Sequence, residues 1–176
     1  MFQFNENTLT EFRAIVKRYP ADKSKSALIP ALHLAQRENN GYLSPEAMNY
    51  VADLLSLKHV EAYETATFYS MFNMKPVGKY VIEYCRTGPC AISGGEAILE
   101  YLKSKLGIKE EETTADGMFS LKMMECLGGC GYAPLFQIGP IFYQNLTEAK
   151  VDALLADCRA GKIPTTVEAF RSMPTA

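Results

Sequence analysis

No stretch of this 176-residue chain reaches the roughly 20 apolar residues needed to cross a bilayer; the greasiest, Tyr132 to Tyr143, is interrupted by Pro134, Gln137, Gly139 and Pro140. Direct membrane insertion is therefore not expected. Basic clusters are missing as well. The 18 basic and 20 acidic side chains leave a formal net charge of -2, and no Lys or Arg patch is dense enough to displace counterions from a phosphate backbone, which sets nucleic acid aside as a partner. The opening Met1-Phe2-Gln3-Phe4-Asn5-Glu6 lacks the basic segment and apolar core of a secretory signal and the Arg-rich bias of an organellar presequence, so a cytoplasmic setting with reduced thiols is expected. No G-x-G-x-x-G follows a predicted strand, there is no P-loop, and no nucleophile stands beside a base. Neither a dinucleotide site nor a complete active site is therefore expected in the chain.

Cysteine is absent from the first part of the chain and informative in the second. Four of the five cysteines form two tight pairs, Cys85-Arg-Thr-Gly-Pro-Cys90 and Cys126-Leu-Gly-Gly-Cys130. Zinc prefers the tighter C-x2-C knuckle, whereas a binuclear iron-sulfur cluster accepts longer loops, so the spacing favours iron. Gly88, Gly128, Gly129 and Gly131 suit such a cluster, because bare backbone can approach bridging sulfides and offer N–H donors. The plant-type ferredoxin spacing is not matched. Cys158 continues an apolar helical stripe and reads as a core residue. His33 and His59, the only histidines, have no ligand-spaced companion and read as surface or packing residues.

The part before the cysteines reads as helices. Thr8 and Glu11 suggest a capping box for a first helix carrying Leu9, Phe12, Val16 and Tyr19, which Pro20 stops. A second helix is expected from about Ser26 to Asn39, with Pro30 in its first turn and Gly41 as C-terminal cap. Ser44-Pro45-Glu46 opens a third that runs to about Leu55. A fourth is expected from about Lys58 to Phe72, its Tyr63, Phe68, Tyr69 and Phe72 packed in the core.

Beyond Pro76 and Gly78 the period changes. Tyr80, Ile82 and Tyr84 alternate as in a strand that Cys85 ends; Ile98, Leu99, Leu102 and Leu106 form a helical stripe; Asp116-Gly117 turns into a strand with Phe119, Leu121 and Met123 on one face. Such a βαβ unit crosses over right-handedly and makes its strands parallel, so both cysteine loops open at one sheet edge, where one four-sulfur site can form. A hairpin around Gly139-Pro140 and a last helix capped by Thr147 complete a βαββα order, with Ala133-Pro134 a candidate cis bond ahead of the third strand. The expected class is α+β: an N-terminal helical bundle (1–76), a thioredoxin-like βαββα domain that carries the cysteine pairs (77–165), which the resemblance described next implies is a ferredoxin domain, and a C-terminal tail (166–176). The run Glu110-Glu111-Glu112 reads as a solvated loop. Glu83 and Glu125 are expected to add negative charge near the sulfurs and favour an oxidised cluster.

Gly41-Tyr-Leu-Ser-Pro-Glu46, Glu64-Thr-Ala-Thr-Phe-Tyr-Ser-Met-Phe72, the two cysteine motifs, the flanking Glu125 and Gly131-Tyr-Ala-Pro134, and Asn145-Leu-Thr147 together resemble a known family. It is the small [2Fe-2S] subunit that accompanies the FMN flavoprotein of respiratory NADH:quinone oxidoreductase, complex I. The resemblance covers most of residues 10 to 165. It implies Cys85, Cys90, Cys126 and Cys130 as ligands of one [2Fe-2S] cluster, with FMN and NAD bound only in the partner flavoprotein. It also implies a place at the inner membrane's cytoplasmic side through that complex. Related NAD-linked hydrogenases and formate dehydrogenases share the module, and a structural zinc module held by the four cysteines and used for assembly is the reading of a different class. Ala91 stands where the family often has His, Met or Trp, and Gly139-Pro-Ile-Phe-Tyr-Gln144 replaces a more acidic turn.

Overall fold

A computed structural model describes residues 2–165; the tail expected at 166–176 lies outside them. Two compact units divide between Val77 and Gly78.

The first unit contains α1 (Glu6–Val16), a 3-10 stretch (Ala21–Ala27), α2 (Leu28–Glu38), α3 (Pro45–Leu54) and α4 (His59–Phe68). Its core joins Phe12 and Ile15 of α1 to Leu28, Leu32 and Ala35 of α2, Ala47 and Val51 of α3, and Ala62 and Ala66 of α4. The start of α1 differs from the sequence reading. Asn5 is the cap, its side chain accepting from the Thr8 backbone N–H at 2.9 Å, while Thr8 sits a turn inside and donates its hydroxyl to the Glu38 carboxylate. The second helix begins two residues late because backbone at Lys23 (φ -121°, ψ 33°) kinks the 3-10 stretch before it. At its end Asn40 takes the left-handed backbone (φ 54°) and the Gly41 N–H reaches the Gln36 carbonyl at 2.8 Å, the Schellman closure.

The Ser44-Pro45-Glu46 start matches its sequence signature. Ser44 Oγ accepts from the Ala47 N–H at 3.2 Å and Pro45 fills the first helical position. Ser44→Ala is expected to cost about 1 kcal/mol, visible as a lower urea midpoint with an unchanged slope.

The fourth helix is shorter than expected. Its last residue is Phe68, and Tyr69 turns to extended backbone (φ -90°, ψ 121°). Gln36 draws the following segment away: its side-chain amide accepts from Asn73 N–H at 2.7 Å and donates to the Met71 carbonyl at 3.1 Å. Phe72 is thereby buried, whereas Phe68 is 79% exposed and Tyr69 40%. Those two aromatics do not join the core.

The second unit follows the expected βαββα order. It comprises β1 (Tyr80–Cys85), α5 (Gly88–Ile92), α6 (Gly95–Leu106), β2 (Phe119–Met124), a 3-10 turn (Cys130–Tyr132), β3 (Phe136–Ile138), β4 (Ile141–Tyr143) and α7 (Glu148–Arg159). The sheet order is β2-β1-β3-β4. Strands β1 and β2 are parallel with Cys85 opposite Met124; β3 runs antiparallel to both β1 and β4. Alternation explains the layering. Tyr80, Ile82 and Tyr84 share one buried cluster with Phe119, Leu121, Phe136 and Ile138, covered by Ile98, Leu99 and Leu102 of α6 and Val151, Leu154, Leu155 and Cys158 of α7. Thr147 Oγ1 caps α7 through the Lys150 N–H at 3.3 Å. The three consecutive glutamates are each engaged: Glu110 with Lys103 at 2.7 Å, Glu111 with the Met123 N–H at 3.0 Å, and Glu112 with the Lys109 N–H at 2.7 Å.

Candidate metal centre

The parallel pairing that sets Cys85 opposite Met124 also brings the loop after each strand to the same edge of the sheet. Cys85 is the last residue of β1. The first loop is tighter than its spacing alone suggests: Thr87 ends it, Pro89 sits in the first turn of α5, and the Cys90 N–H bonds the Thr87 carbonyl at 2.9 Å. Cys90 is therefore delivered by one helical turn. Cys126 lies just past β2, and Cys130 opens the 3-10 turn before the Ala133-Pro134 bond, which is cis.

The site is asymmetric. Cys85 (2% exposed) and Cys90 (1%) are buried around Leu135, with Leu127 and Ala133 packed against them. Cys126 and Cys130 are exposed, and all five cysteines are free thiols. Around the first pair, the Cys85 sulfur lies 3.5 Å from both Thr87 Oγ1 and the Glu125 carbonyl. Around the second, the Gly128 N–H donates to the Cys126 sulfur at 3.4 Å. Gly129 has a packing reason, because a Cβ there would lie 2.9 Å from Leu135 Cδ2.

Electrostatics join the four sulfurs. Burial pushes the Cys85 thiol up, but donors from Thr87, Leu127 and Cys90 together bring it below the usual thiol range. Cys90 is pushed up to about 11, by burial first and then by Cys85, with Cys130 adding to the rise. Cys130 is raised by loss of solvation at its sulfur, although the residue as a whole is exposed, and then by Cys126 and Cys85. Four cysteine sulfurs drawn from two loops at one sheet edge suit a cationic centre that takes them all as ligands. The donor set, all sulfur with backbone N–H groups beside it, fits an iron-sulfur cluster. Among the described residues, no three His, Cys, Asp or Glu side chains are gathered tightly enough to hold a single metal ion. The sulfurs are arranged as two neighbouring pairs.

The other candidates fall elsewhere. Cys158 is fully buried in the α7 core. His59 Nε2 is 2.8 Å from the Asp53 carboxylate and the His33 ring packs 4.9 Å from that of Phe72. Burial pushes the Glu83 carboxyl above the usual carboxylate range, opposed by Lys122, its neighbour across the β1–β2 ladder. Glu125 is exposed. Three residues around the sulfurs are not signalled by the sequence. Thr87 and Leu135 carry no motif of their own. Tyr84 reads there only as a strand residue; burial, then the Cys90 and Cys85 charges, push its phenol up to about 12, so it remains an O–H.

The family described as thioredoxin-like [2Fe-2S] ferredoxin matches residues 12–159. The E subunit of NADH-quinone oxidoreductase from Rickettsia bellii (strain RML369-C) is 46% identical over 158 residues, covering 90% of this chain and 95% of that protein. A second form of the E subunit of the same enzyme, from Rhizobium meliloti (strain 1021), is 41% identical over 164 residues, covering 93% and 96%. A solved NAD+-reducing [NiFe]-hydrogenase in its air-oxidised state superposes with TM-score 0.66 at 25% identity over 84% of this chain, which spans 24% of that hydrogenase chain. No helix among the described residues is long and apolar enough to cross a membrane. The chain belongs to the thioredoxin-like [2Fe-2S] ferredoxin family, alongside the E subunits of NADH-quinone oxidoreductase.

Proposed function

We propose that the chain is an electron-transfer subunit of NADH:quinone oxidoreductase, with Cys85, Cys90, Cys126 and Cys130 ligating one [2Fe-2S] cluster. Its expected partner is an NADH-oxidising flavoprotein that holds the FMN and the NAD site. The observation that carries this reading is the parallel β1–β2 register, which brings the loops bearing both cysteine pairs to one sheet edge in a chain of the thioredoxin-like [2Fe-2S] ferredoxin family. When bound, such a cluster supplies one-electron redox chemistry. The chain's own residues supply the setting: Leu135 covers the buried pair, Thr87 and Gly128 direct donors at sulfur, and the exposed pair leaves one flank open for close approach of a partner. Membrane association would come through the assembled complex.

The deciding experiment is anaerobic EPR with iron and sulfide analysis of the purified chain. Two irons and two sulfides per chain, with a rhombic S = 1/2 signal that appears only on dithionite reduction, are expected for a binuclear cluster. Zinc with no paramagnetic signal, in protein never exposed to oxygen, would replace the redox reading with a structural one. The hydrogenase likeness favours one alternative within the same chemistry, a place in an NAD-linked hydrogenase. Subunits co-purifying with the native chain separate the two, since quinone-reducing membrane subunits and a nickel-iron subunit do not belong to one enzyme.

A further inference from the structure

Tyr84 is a large, fully buried side chain, 1% exposed. Its hydroxyl has no hydrogen-bond partner among the described residues. A buried donor left unmade costs on the order of 1–3 kcal/mol, so such groups call for a reason. The position of this one supplies it. A Cβ built on Gly95 would lie 2.6 Å from the Cys90 carbonyl oxygen and 2.9 Å from Tyr84 Oη. The phenol therefore reaches from β1 to the turn that carries Cys90, beneath the buried half of the metal centre. Gly95 keeps that contact open, because any larger residue would occupy the space the two oxygens share.

A hydroxyl hydrogen committed to no acceptor can turn toward negative charge when charge arrives. Once a cluster is bound, the Cys90 sulfur would share the negative charge of that centre.

We infer that Tyr84 is a positioning residue for the redox centre, its buried O–H dipole oriented toward the Cys90 corner of the [2Fe-2S] cluster so that the reduced form is favoured. The inference rests on the cluster assignment proposed above. A dipole whose positive end faces the cluster stabilises the more negative reduced state, and low-dielectric surroundings strengthen the effect. Removing the hydroxyl lowers the potential.

The test is Tyr84→Phe, with Tyr80→Phe as the matched control. Tyr80 lies on the same face of β1, is equally buried and also has an unpartnered hydroxyl, but it sits at the far end of the strand from the cysteine loops. Each purified, cluster-loaded variant is titrated under EPR. For Tyr84→Phe the reduced-to-oxidised ratio at a fixed solution potential is expected to fall by roughly threefold to tenfold, where tenfold corresponds to about 59 mV for one electron. Tyr80→Phe should titrate with the wild type. A Tyr84→Phe midpoint equal to wild type overturns the inference, as does an equal shift in both variants. Folding is read separately by circular dichroism of the cluster-free proteins. Loss of the fold in cluster-free Tyr84→Phe also overturns it, because the hydroxyl would then have a structural duty. A variant that folds but no longer retains the cluster overturns it as well, because the hydroxyl would then hold the site together and not set its potential. A wild-type chain that takes up no binuclear cluster refutes the functional reading itself and is recognised before any variant is made.

Discussion

Cys90→Ala is expected to abolish cluster binding while Cys158→Ala leaves it intact. Both residues are buried free thiols, so burial alone does not tell them apart; their neighbours do. Cys90 interacts with Cys85 and Cys130, whereas Cys158 lies within the apolar stripe of α7. Loss of an outer hydrogen-bond partner already weakens a metal site by about 10–100-fold, and loss of a ligand removes more. Iron per chain in Cys90→Ala should fall by more than about tenfold, with the visible absorption lost, while Cys158→Ala keeps wild-type iron and colour. Equal iron in the two variants would remove Cys90 from the ligand set. The same comparison made at Cys126 tests the exposed pair.

Gly95→Ala should destabilise the second unit more than the Ser44 cap substitution destabilises the first. The added Cβ meets the Cys90 carbonyl oxygen at 2.6 Å and its carbon at 3.0 Å. These are backbone atoms, not the yielding end of a flexible side chain. Either α6 moves off the sheet, losing contacts of Ile98 and Leu99 with the core, or the turn carrying Cys90 moves. Overpacking of this kind costs about 1–3 kcal/mol, and each kcal/mol lowers Tm by about 4–8 °C for a domain of this size. Calorimetry of the cluster-free chain measures it. A Tm within a degree of wild type would mean that the turn yields freely.

Local signals make much of this architecture legible in the sequence. The Tyr80-Ile82-Tyr84 alternation, the 98-99-102 and 151-154-155-158 stripes and the Ser44-Pro45 start each form an element where their own period places it. The shared edge of the two cysteine pairs is legible for a different reason, since the handedness of a βαβ crossover leaves the parallel strands one arrangement. What the sequence hides is set by partners distant along the chain. Gln36 decides where α4 stops by binding Met71 and Asn73. Glu38 takes the Thr8 hydroxyl, which leaves capping to Asn5. Around the sulfurs, Leu135 and Tyr84 matter through packing that no spacing rule encodes, and Lys122 offsets Glu83 only because the strand register places them side by side.

The parallel register of β1 and β2 also governs the order of events in the life of the chain. Each cysteine pair is local, but the two pairs meet only after the strands have closed a long crossover, a non-local contact of the kind that forms slowly. A newly made chain thus has two half-sites before it has one whole site. Metal captured early would be held by two sulfurs and easily lost. With the ligand set proposed above, cluster insertion would follow sheet formation and enter by the flank where Cys126 and Cys130 face the solvent, with Cys85 and Cys90 buried beneath.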